Sequence, residues 1–192
     1  MRSETSPWQS WFIYYCFRLI AATRGWSAEG LEHIPRKGPV ILAVNHVSMM
    51  DPVLVGVAVF PLRALHALAK EEMFRVPILG RIFRAAGIIP LNRRGGDLGA
   101  MRSAVKALEN DGCMVVFPEG TRSRTGKPGR AKGGLGLLAR ASSALVVPAR
   151  VFNTDRWFGR INIRFGPPMR FDGGEGRGGA LEFSRRVLDT IL

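Results

Sequence analysis

One histidine and one aspartate lie five residues apart where an apolar segment turns into a predicted helix. Val40–Val44 is apolar and rich in β-branched residues, which predicts a buried strand, and His46 follows it in a polar turn. Asp51 precedes Pro52, a pair typical of a helix start, with Asp at the N-cap and Pro at the first helical position. On one continuous helix this spacing would separate the two side chains, but across a strand–turn–helix corner they can meet.

A hydrogen bond between these two side chains would give His46 a chemical role. The carboxylate of Asp51 would fix the tautomer of the imidazole and leave its other ring nitrogen free as a general base. A structural interpretation competes, because Asp before Pro also serves ordinary helix starts and a single histidine often has a packing role. The pair by itself leaves both interpretations open.

A second polar loop follows another apolar segment. Cys113–Phe117 is predicted to be a buried strand, and Cys113 a core residue rather than a nucleophile, since no base lies beside it in the sequence. The loop after it, Pro118–Arg124, combines a carboxylate and a glycine with two arginines, which is typical of a functional loop. Its basic character continues through Lys127, Arg130 and Lys132.

A third polar loop begins after Ile88–Leu91, which we expect to be an edge strand because it contains Pro90. Arg93 and the arginine after it precede two glycines, and such a loop can hold a phosphate or simply be solvated. Two other stretches only resemble nucleotide-binding motifs. Gly120–Lys127 has the wrong spacing for a P-loop, and Gly134–Gly136 follows a basic loop instead of a strand.

The amino-acid composition favours some classes of protein and argues against others. The chain has 192 residues, 46% of them hydrophobic, which suffices for one globular domain with a full core. Its 28 Lys and Arg residues against 15 Asp and Glu residues give a net charge of +13, which favours anionic partners: acidic lipid, phosphorylated ligands, an acidic carrier protein or nucleic acid. Two distant cysteines and three histidines without ligand spacing argue against a disulfide framework and a metal site, and favour a reducing compartment.

Predicted strands alternate with predicted helices, so we expect an α/β fold: a single domain with a mixed β-sheet flanked by helices. Besides the strands already given, the pattern predicts strands at Ala28–Ile34, Leu65–Ala69, Leu145–Phe152 and Arg160–Phe165. It predicts helices at Pro52–Phe60, Pro77–Ala86 and Ala180–Leu192, and one capped by Asp97 that buries Leu98, Met101, Val105 and Leu108.

The first residues form an aromatic, apolar segment, Trp8–Ala22. It is shorter than the roughly 20 apolar residues of a membrane span, and Arg18 and Glu4 make it a poor signal peptide. Its Trp and Tyr content favours a helix in the membrane interface, although packing on the protein's own core is an alternative. We therefore expect residues 1–27 to be a membrane-interface helical segment and residues 28–192 to be the catalytic domain.

Two of these stretches together resemble signature blocks of the lysophospholipid (glycerolipid) acyltransferases, and among them of the bacterial 1-acyl-sn-glycerol-3-phosphate acyltransferases. Asn45–Asp51 is similar to the NHxxxxD (HX4D) block and Phe117–Ser123 to the FPEGTRS block. Ile89–Arg93 resembles an intervening block that ends in Arg, while Lys132-Gly133 and Val146–Pro148 resemble later blocks. The order and spacing agree from residue 28 to residue 170. The short C-terminus and the additional Arg94 depart from the pattern and bear on substrate choice more than on chemistry.

The resemblance implies an O-acyltransferase of phospholipid biosynthesis. It would transfer an acyl chain from acyl-CoA or acyl carrier protein to the free hydroxyl of a lysophospholipid, most simply 1-acyl-glycerol 3-phosphate, giving phosphatidic acid, without a cofactor or metal. His46 would be the base and Asp51 would orient it, and direct attack on the thioester would need no protein nucleophile, which suits the absence of a GxSxG motif. The acceptor would be bound by Asn45, Arg93, Glu119, Gly120, Thr121, Arg122 and Lys132.

The resemblance also implies a peripheral or monotopic position on the lipid surface of the cytoplasmic face of the cell membrane. A related enzyme that acylates a lyso-ornithine lipid, glycerol 3-phosphate or a glycolipid is an alternative that the motifs leave open. A non-enzymatic protein that binds anionic lipid or nucleic acid is a remote alternative. The aromatic residues cluster at the N-terminus instead of interleaving with the basic loops, no nucleic-acid-binding module is visible, and His46 and Asp51 are both present.

Overall fold

Seven strands form one mixed sheet in a computed structural model of the chain, which describes residues 15, 18–19, 22–23, 25–85, 88–91, 98–123, 129–156 and 159–191. The strands are β1 (Trp26–Glu29), β2 (Val40–Val44), β3 (Leu65–Lys70), β4 (Ile88–Leu91), β5 (Cys113–Val116), β6 (Leu145–Phe152) and β7 (Ile161–Phe165). They lie in the order β1-β7-β6-β2-β5-β3-β4. The predicted α/β class with a mixed sheet is confirmed.

Five neighbouring strands run parallel and two run the other way. β2 pairs in parallel with both β5 and β6, with Val40 opposite Cys113 and Leu145. β3 pairs in parallel with β5 and with β4, whereas β7 is antiparallel to β6 and parallel to β1. The carboxyl ends of β2, β3, β4, β5 and β6 therefore share one side of the sheet, called the carboxyl edge below.

Helices cover both faces of the sheet. Their bounds are α1 (Asp51–Val59), α2 (Pro77–Ala85), α3 (Leu98–Glu109), α4 (Gly134–Ser142) and α5 (Gly176–Ile191), with short 3-10 helices at Leu31–His33 and Glu71–Arg75. All five residues of β2 are buried, as expected for a central parallel strand whose faces are both covered. Alternate β2 side chains pack on α1 on one face and on α3, α4 and α5 on the other.

Three predicted elements differ in detail from the structure, one of them only in that α5 begins at Gly176, four residues before the predicted start at Ala180. The segment predicted as a strand at Ala28–Ile34 is split at Gly30, whose φ of 75° turns the chain out of β1 into a 3-10 helix. A Cβ at Gly30 would lie 2.1 Å from the Phe165 carbonyl oxygen, so this turn requires glycine. Leu98, predicted to be buried, is 70% exposed.

The buried face of α3 explains why Leu98 is exposed. The fully buried residues of α3 are Ala100, Ala104 and Leu108, spaced four apart, with Met101 and Val105 half-buried beside them. Two alanines bring this helix close to the sheet, and a large apolar residue at position 98 falls outside that stripe. The predicted cap, Asp97, lies outside the described residues.

The stretch Gly134–Gly136, which resembles a nucleotide-binding motif in sequence, lies where α4 packs against α5. A Cβ at Gly136 would lie 2.1 Å from the carbonyl oxygen of Ala180, so the glycine lets the two helices approach closely. The Gly136 N–H, in the first turn of α4, donates to the Ser184 hydroxyl at 3.0 Å, and that hydroxyl donates to Ala180. Gly136 thus serves helix packing, a role that was not predicted from the sequence.

The described residues near the N-terminus, Tyr15, Arg18, Leu19, Ala22 and Thr23, are helical and exposed. The rest of the predicted interface segment Trp8–Ala22 lies outside the described residues. No helix in the described part of the chain is both long and apolar enough to cross a membrane. β1 already includes Trp26 and Ser27, so the sheet begins slightly before residue 28.

Candidate active site

Two of the predicted functional loops meet at the carboxyl edge. The turn after β2 and the loop after β5 are adjacent because these two strands pair in parallel and in register. The Ser123 N–H donates to the His46 carbonyl oxygen at 2.8 Å, which joins the loops directly. Ligands of open parallel sheets bind outside the carboxyl ends of the strands, so this is where a reaction site is expected.

His46 and Asp51 form the hydrogen bond that their spacing predicts. The distance between His46 Nδ1 and Asp51 Oδ2 is 2.9 Å, and the side chains are 15% and 0% exposed. A carboxylate accepts, so the proton of a neutral imidazole lies on Nδ1 and the lone pair on Nε2. Nε2 has no hydrogen-bond partner among the described residues, which leaves it available as a base.

Asp51 is the centre of the turn that carries His46. Its Oδ2 also accepts the N–H groups of Val47 at 2.7 Å and Ser48 at 2.8 Å, and the Ser48 hydroxyl accepts the Met50 N–H. Three donors therefore converge on one carboxylate oxygen, while Oδ1 is buried and has no hydrogen-bond partner among the described residues. This oxygen fixes both the backbone of the turn and the direction of the imidazole.

The predicted capping role of Asp51 is wrong in one respect. Met50 occupies the N-cap, and Asp51 is the first residue of α1, followed by Pro52. The carboxylate accepts amides that precede the helix instead of the first amides of the helix itself. The reason is that the turn between His46 and Met50 folds back over the start of the helix and encloses the side chain.

Phe117 supports the imidazole from one side and was not singled out from the sequence. Its ring stacks on the ring of His46 with a centroid distance of 3.9 Å and an angle of 19° between the planes. Because Phe117 follows β5 directly, the parallel pairing with β2 brings it to the same edge as His46. Stacking and the hydrogen bond to Asp51 together restrict the ring to one orientation.

Glu119 is buried and binds two backbone amides. Its Oε1 accepts the His46 N–H at 3.2 Å, and its Oε2 accepts the Gly129 N–H at 2.7 Å. A Cβ at Gly129 would lie 2.8 Å from Oε2, so a larger residue there would displace the carboxylate. Glu119 therefore links the His46 turn, its own loop and Gly129 at the end of the basic loop. No sequence pattern predicted the part played by Gly129.

Two described cations, Arg122 and Lys132, lie at the surface beside Gly120. Gly120 has a φ of 69°, and a Cβ there would lie 2.8 Å from Cδ and 3.1 Å from Nζ of Lys132. The Lys132 side chain thus lies across Gly120, and its backbone N–H donates to Pro118 at 2.8 Å. Thr121 and Arg122 are exposed beside it. Arg93 lies outside the described residues, while β4, which precedes it, ends at the same edge.

Asn45 uses its amide to extend the sheet. Its Nδ2 donates to the Val151 carbonyl oxygen at 3.2 Å, and its Oδ1 accepts the Val151 N–H at 2.7 Å. The side chain thereby continues the pairing of β2 with β6 by one step beyond Val44 and Ala149. This contact holds the start of the His46 turn against β6.

Cys113 is a core residue, as predicted. Burial raises the pKa of its thiol to about 12, an effect that the nearby positive charge of Arg63 partly offsets. At neutral pH the side chain is therefore a thiol and not a nucleophilic thiolate. Among the described residues, no group of three or more His, Cys, Asp or Glu side chains is placed to hold a metal ion.

Known proteins resemble this chain in sequence and in fold. Residues 26–151 match the family model described as Acyltransferase. The chain is similar to the 1-acyl-sn-glycerol-3-phosphate acyltransferase of Borreliella burgdorferi, with 32% identity over 131 residues, covering 67% of this chain and 52% of the relative. It is also similar to chloroplastic 1-acyl-sn-glycerol-3-phosphate acyltransferase LPAT1 of Arabidopsis thaliana, with 27% identity over 153 residues, covering 78% of this chain and 40% of the relative.

The chain thus spans about half the length, or less, of these two relatives. Among solved structures, the 1-acyl-sn-glycerophosphate (LPA) acyltransferase PlsC of Thermotoga maritima has the same fold, with a TM-score of 0.79 and 24% identity. That likeness covers 94% of this chain and 77% of the other. With the family match extending from β1 to β6 and enclosing the His46–Asp51 pair, this chain belongs to the acyltransferase family.

Proposed function

We propose that the protein transfers an acyl chain from an acyl thioester, carried by CoA or by acyl carrier protein, to the free hydroxyl of 1-acyl-glycerol 3-phosphate, giving phosphatidic acid. The observation that carries the proposal is the 2.9 Å hydrogen bond between His46 and Asp51 at the carboxyl edge of an acyltransferase-family sheet. The choice of acceptor is supported by the names of the two relatives, both 1-acyl-sn-glycerol-3-phosphate acyltransferases.

In the proposed reaction the acceptor hydroxyl hydrogen-bonds to Nε2 of His46. Its oxygen attacks the thioester carbonyl carbon while its proton passes to Nε2, and the resulting imidazolium is stabilised by the carboxylate of Asp51. The tetrahedral intermediate then expels the thiolate, which takes the proton from the imidazolium. A positioned base contributes about 10²–10⁴-fold, and orientation of the substrates and donors at the oxyanion would supply the rest.

The acceptor phosphate would be bound by the cationic loops. Arg122 and Lys132 lie at the surface beside Gly120 and Thr121, close to the His46 turn, and we propose that Arg93 joins them. Guanidinium groups give charge-assisted, often bidentate hydrogen bonds to phosphate. The net charge of +13 is favourable both for this acceptor and for a donor that carries phosphates or an acidic protein surface.

Asn45 and Glu119 take a different part in this proposal. The resemblance to the acyltransferases implied that both bind substrate, but their polar atoms bond to backbone groups of Val151, His46 and Gly129. We therefore propose that they hold the site in shape and do not touch the acceptor.

The lipid acceptor would be reached from the membrane surface. We propose that residues 1–27 form an interfacial anchor on the cytoplasmic face of the membrane, on the basis of the Trp and Tyr content of Trp8–Ala22. Tyr15 and Leu19, which the structure describes as helical and exposed, are apolar side chains that such an anchor would use.

The proposal is tested by measuring product formation by the purified protein with acyl-CoA and with acyl carrier protein as donors. Acceptors are lysophosphatidic acid, monoacylglycerol, glycerol 3-phosphate, lyso-ornithine lipid and a glycolipid. We expect the largest kcat/KM with lysophosphatidic acid, and loss of product with His46→Ala. A larger kcat/KM with another acceptor would overturn the acceptor assignment, and product from His46→Ala at the wild-type rate would overturn the mechanism.

A further inference from the structure

Exposed large apolar side chains are concentrated at the carboxyl edge. Outside the N-terminal helical residues, the described chain exposes four of them: Met49, Val76, Ile78 and Leu98. Met49 lies in the His46 turn, Val76 and Ile78 lie where the chain leaves β3 and enters α2, and Leu98 begins α3 after β4. Single exposed apolar residues are ordinary, but here all four lie on the side of the sheet that carries the site.

Ile78 and its neighbours form the most prominent part of this surface. Val76, Pro77 and Ile78 are all exposed, and Ile78 is 75% exposed. They are the linking residue Val76 and the first two residues of α2, and this segment is called the Ile78 turn below. Because β3 and β4 are parallel, the chain must return from the carboxyl end of β3 to the amino end of β4, which places the Ile78 turn on the carboxyl side of the sheet.

The Ile78 turn is supported by close packing between α2 and the 3-10 helix Glu71–Arg75. A Cβ at Gly80 would lie 2.2 Å from the Phe74 carbonyl oxygen, so this glycine lets α2 pack directly on the 3-10 helix. The Gly80 N–H donates to Val76 at 2.7 Å, and the rings of Phe74 and Phe83 pack edge to face at 5.5 Å. The exposed apolar side chains of the Ile78 turn are therefore carried by a well-packed segment.

Positively charged side chains lie on both sides of Ile78 in the sequence. Arg75 and Arg81 lie three residues before and after Ile78, and both are exposed. Arg81 is one helical turn beyond Ile78 in α2, so the two side chains share a face of the helix. Residues 70–84 contain four cations against the two carboxylates of Glu71 and Glu72, and Glu71 lies 3.9 Å from Arg75.

Exposed apolar residues with arginines on either side, as in the Ile78 turn, are complementary to an anionic lipid interface. The apolar residues can enter the acyl boundary while the guanidinium groups remain at the level of the phosphates. We propose that the Ile78 turn inserts into an anionic bilayer surface and turns the His46 edge towards the lipid. This inference rests on the proposed acylation of a lipid acceptor, and it adds a contact separate from residues 1–27.

The first test measures insertion directly. In a Cys16→Ser background, Ile78→Cys is labelled with an environment-sensitive nitrobenzoxadiazole probe and mixed with vesicles of phosphatidylcholine and phosphatidylglycerol. We expect a blue shift of the emission and quenching by nitroxide-labelled lipid, but no change for the same probe on Ala141→Cys. Ala141 is exposed near the end of α4, from which the chain enters the amino end of β6, so it is a control at the opposite edge.

The second test measures partitioning. Ile78→Glu should bind these vesicles about tenfold more weakly, because it removes apolar burial and adds a repelled charge, whereas Ala141→Glu should bind like wild type. Ile78→Glu should keep full activity on a soluble short-chain acceptor and lose activity on acceptor held in vesicles.

Three results would overturn the inference. An unchanged probe signal at position 78, or wild-type partitioning of Ile78→Glu, would mean that the turn does not contact lipid. A probe response without vesicles, together with self-association in sedimentation that Ile78→Glu abolishes, would identify a second copy as the occupant. Failure of the wild-type protein to acylate the short-chain acceptor would count against the proposed function alone, because probe insertion is measured without catalysis.

Discussion

The hydrogen bonds of Asp51 can be separated from its charge, because they all use the oxygen Oδ2. All three donors, from His46, Val47 and Ser48, converge on this one atom. In Asp51→Asn the amide oxygen can take the same three hydrogen bonds, so the turn and the imidazole tautomer should persist. The negative charge that stabilises the imidazolium is lost, and hydrogen bonds to charged groups are the stronger ones.

We therefore predict that Asp51→Asn lowers kcat by about ten- to a hundredfold with little change in KM, in line with a charged hydrogen bond worth about 1.5–3 kcal/mol. Nitrogen chemical shifts of His46 should still show the proton on Nδ1. The control is Ser48→Ala, which removes only the acceptor of the Met50 N–H and should leave kcat near wild type. A proton on Nε2 in Asp51→Asn, or an unchanged kcat, would contradict this account of the pair.

Glu119 should matter through position and not through contact with the acceptor. Each of its oxygens accepts one backbone N–H, and glutamine has only one acceptor oxygen, so Glu119→Gln must place an NH₂ group against a buried amide. We expect a loss of about 1–3 kcal/mol in the free energy of unfolding and a lower kcat. Gly129→Ala should have a similar effect by displacing the carboxylate, and the double variant should be less than additive.

The exposed Glu109→Gln is the matched control for Glu119→Gln and should change neither quantity. Denaturant unfolding and steady-state kinetics give both values. Strict additivity of Glu119→Gln and Gly129→Ala would show that the two residues act separately.

Arg122 tests whether the cationic loop binds the acceptor phosphate. Arg122→Ala should lower kcat/KM on lysophosphatidic acid by roughly one to two decades, the size of a partly shielded charge-assisted hydrogen bond, and have little effect on uncharged monoacylglycerol. Arg93→Ala is expected to behave in the same way, while Arg94→Ala serves as a control with little effect. Equal losses on both acceptors would mean that the arginines are structural or bind the phosphates of the donor.

At the scale of elements, the close contact of α4 and α5 depends on one glycine. Gly136→Ala would put a Cβ 2.1 Å from the Ala180 carbonyl oxygen and should lower the free energy of unfolding by about 1–3 kcal/mol or more, because the helices must separate. Gly134→Ala, two residues away in the same helix, meets no atom within 4 Å and should be neutral or slightly stabilising. Thermal unfolding distinguishes them, and equal effects would contradict the packing account.

Local sequence patterns predicted a helix or strand correctly where its own residues are enough to determine its type and position. Val40–Val44 is uniformly apolar because β2 is covered on both faces, and Pro90 marked β4, which lies at the sheet edge as expected. The end of β1 at Gly30 was missed because it depends on the Phe165 carbonyl far along the chain. Leu98 was wrongly predicted to be buried, because helical spacing is compatible with a buried face that includes Leu98 and with one formed by Ala100, Ala104 and Leu108. Which face is buried depends on how the helix packs on the sheet.

The same limit applies to the site at the scale of the whole molecule. The His46–Asp51 hydrogen bond is local, so residue spacing predicted it. The stacking of Phe117 on His46 and the hydrogen bond from the His46 N–H to Glu119 each join residues that are more than seventy positions apart in the sequence. They exist because β2 and β5 pair in the sheet. Motif blocks can identify such residues as functional, but their contacts follow from topology.

The whole molecule brings the His46–Asp51 pair, the exposed cations Arg122 and Lys132, and the Ile78 turn to one side of one sheet. The central claim is that His46 removes the proton of the acceptor hydroxyl. The most direct measurement is the single-turnover rate of acyl transfer by His46→Ala, with folding verified by circular dichroism and thermal unfolding. The account predicts a rate at least about 10²-fold below wild type with unchanged acceptor binding. A folded His46→Ala protein that transfers the acyl chain at close to the wild-type rate would contradict it.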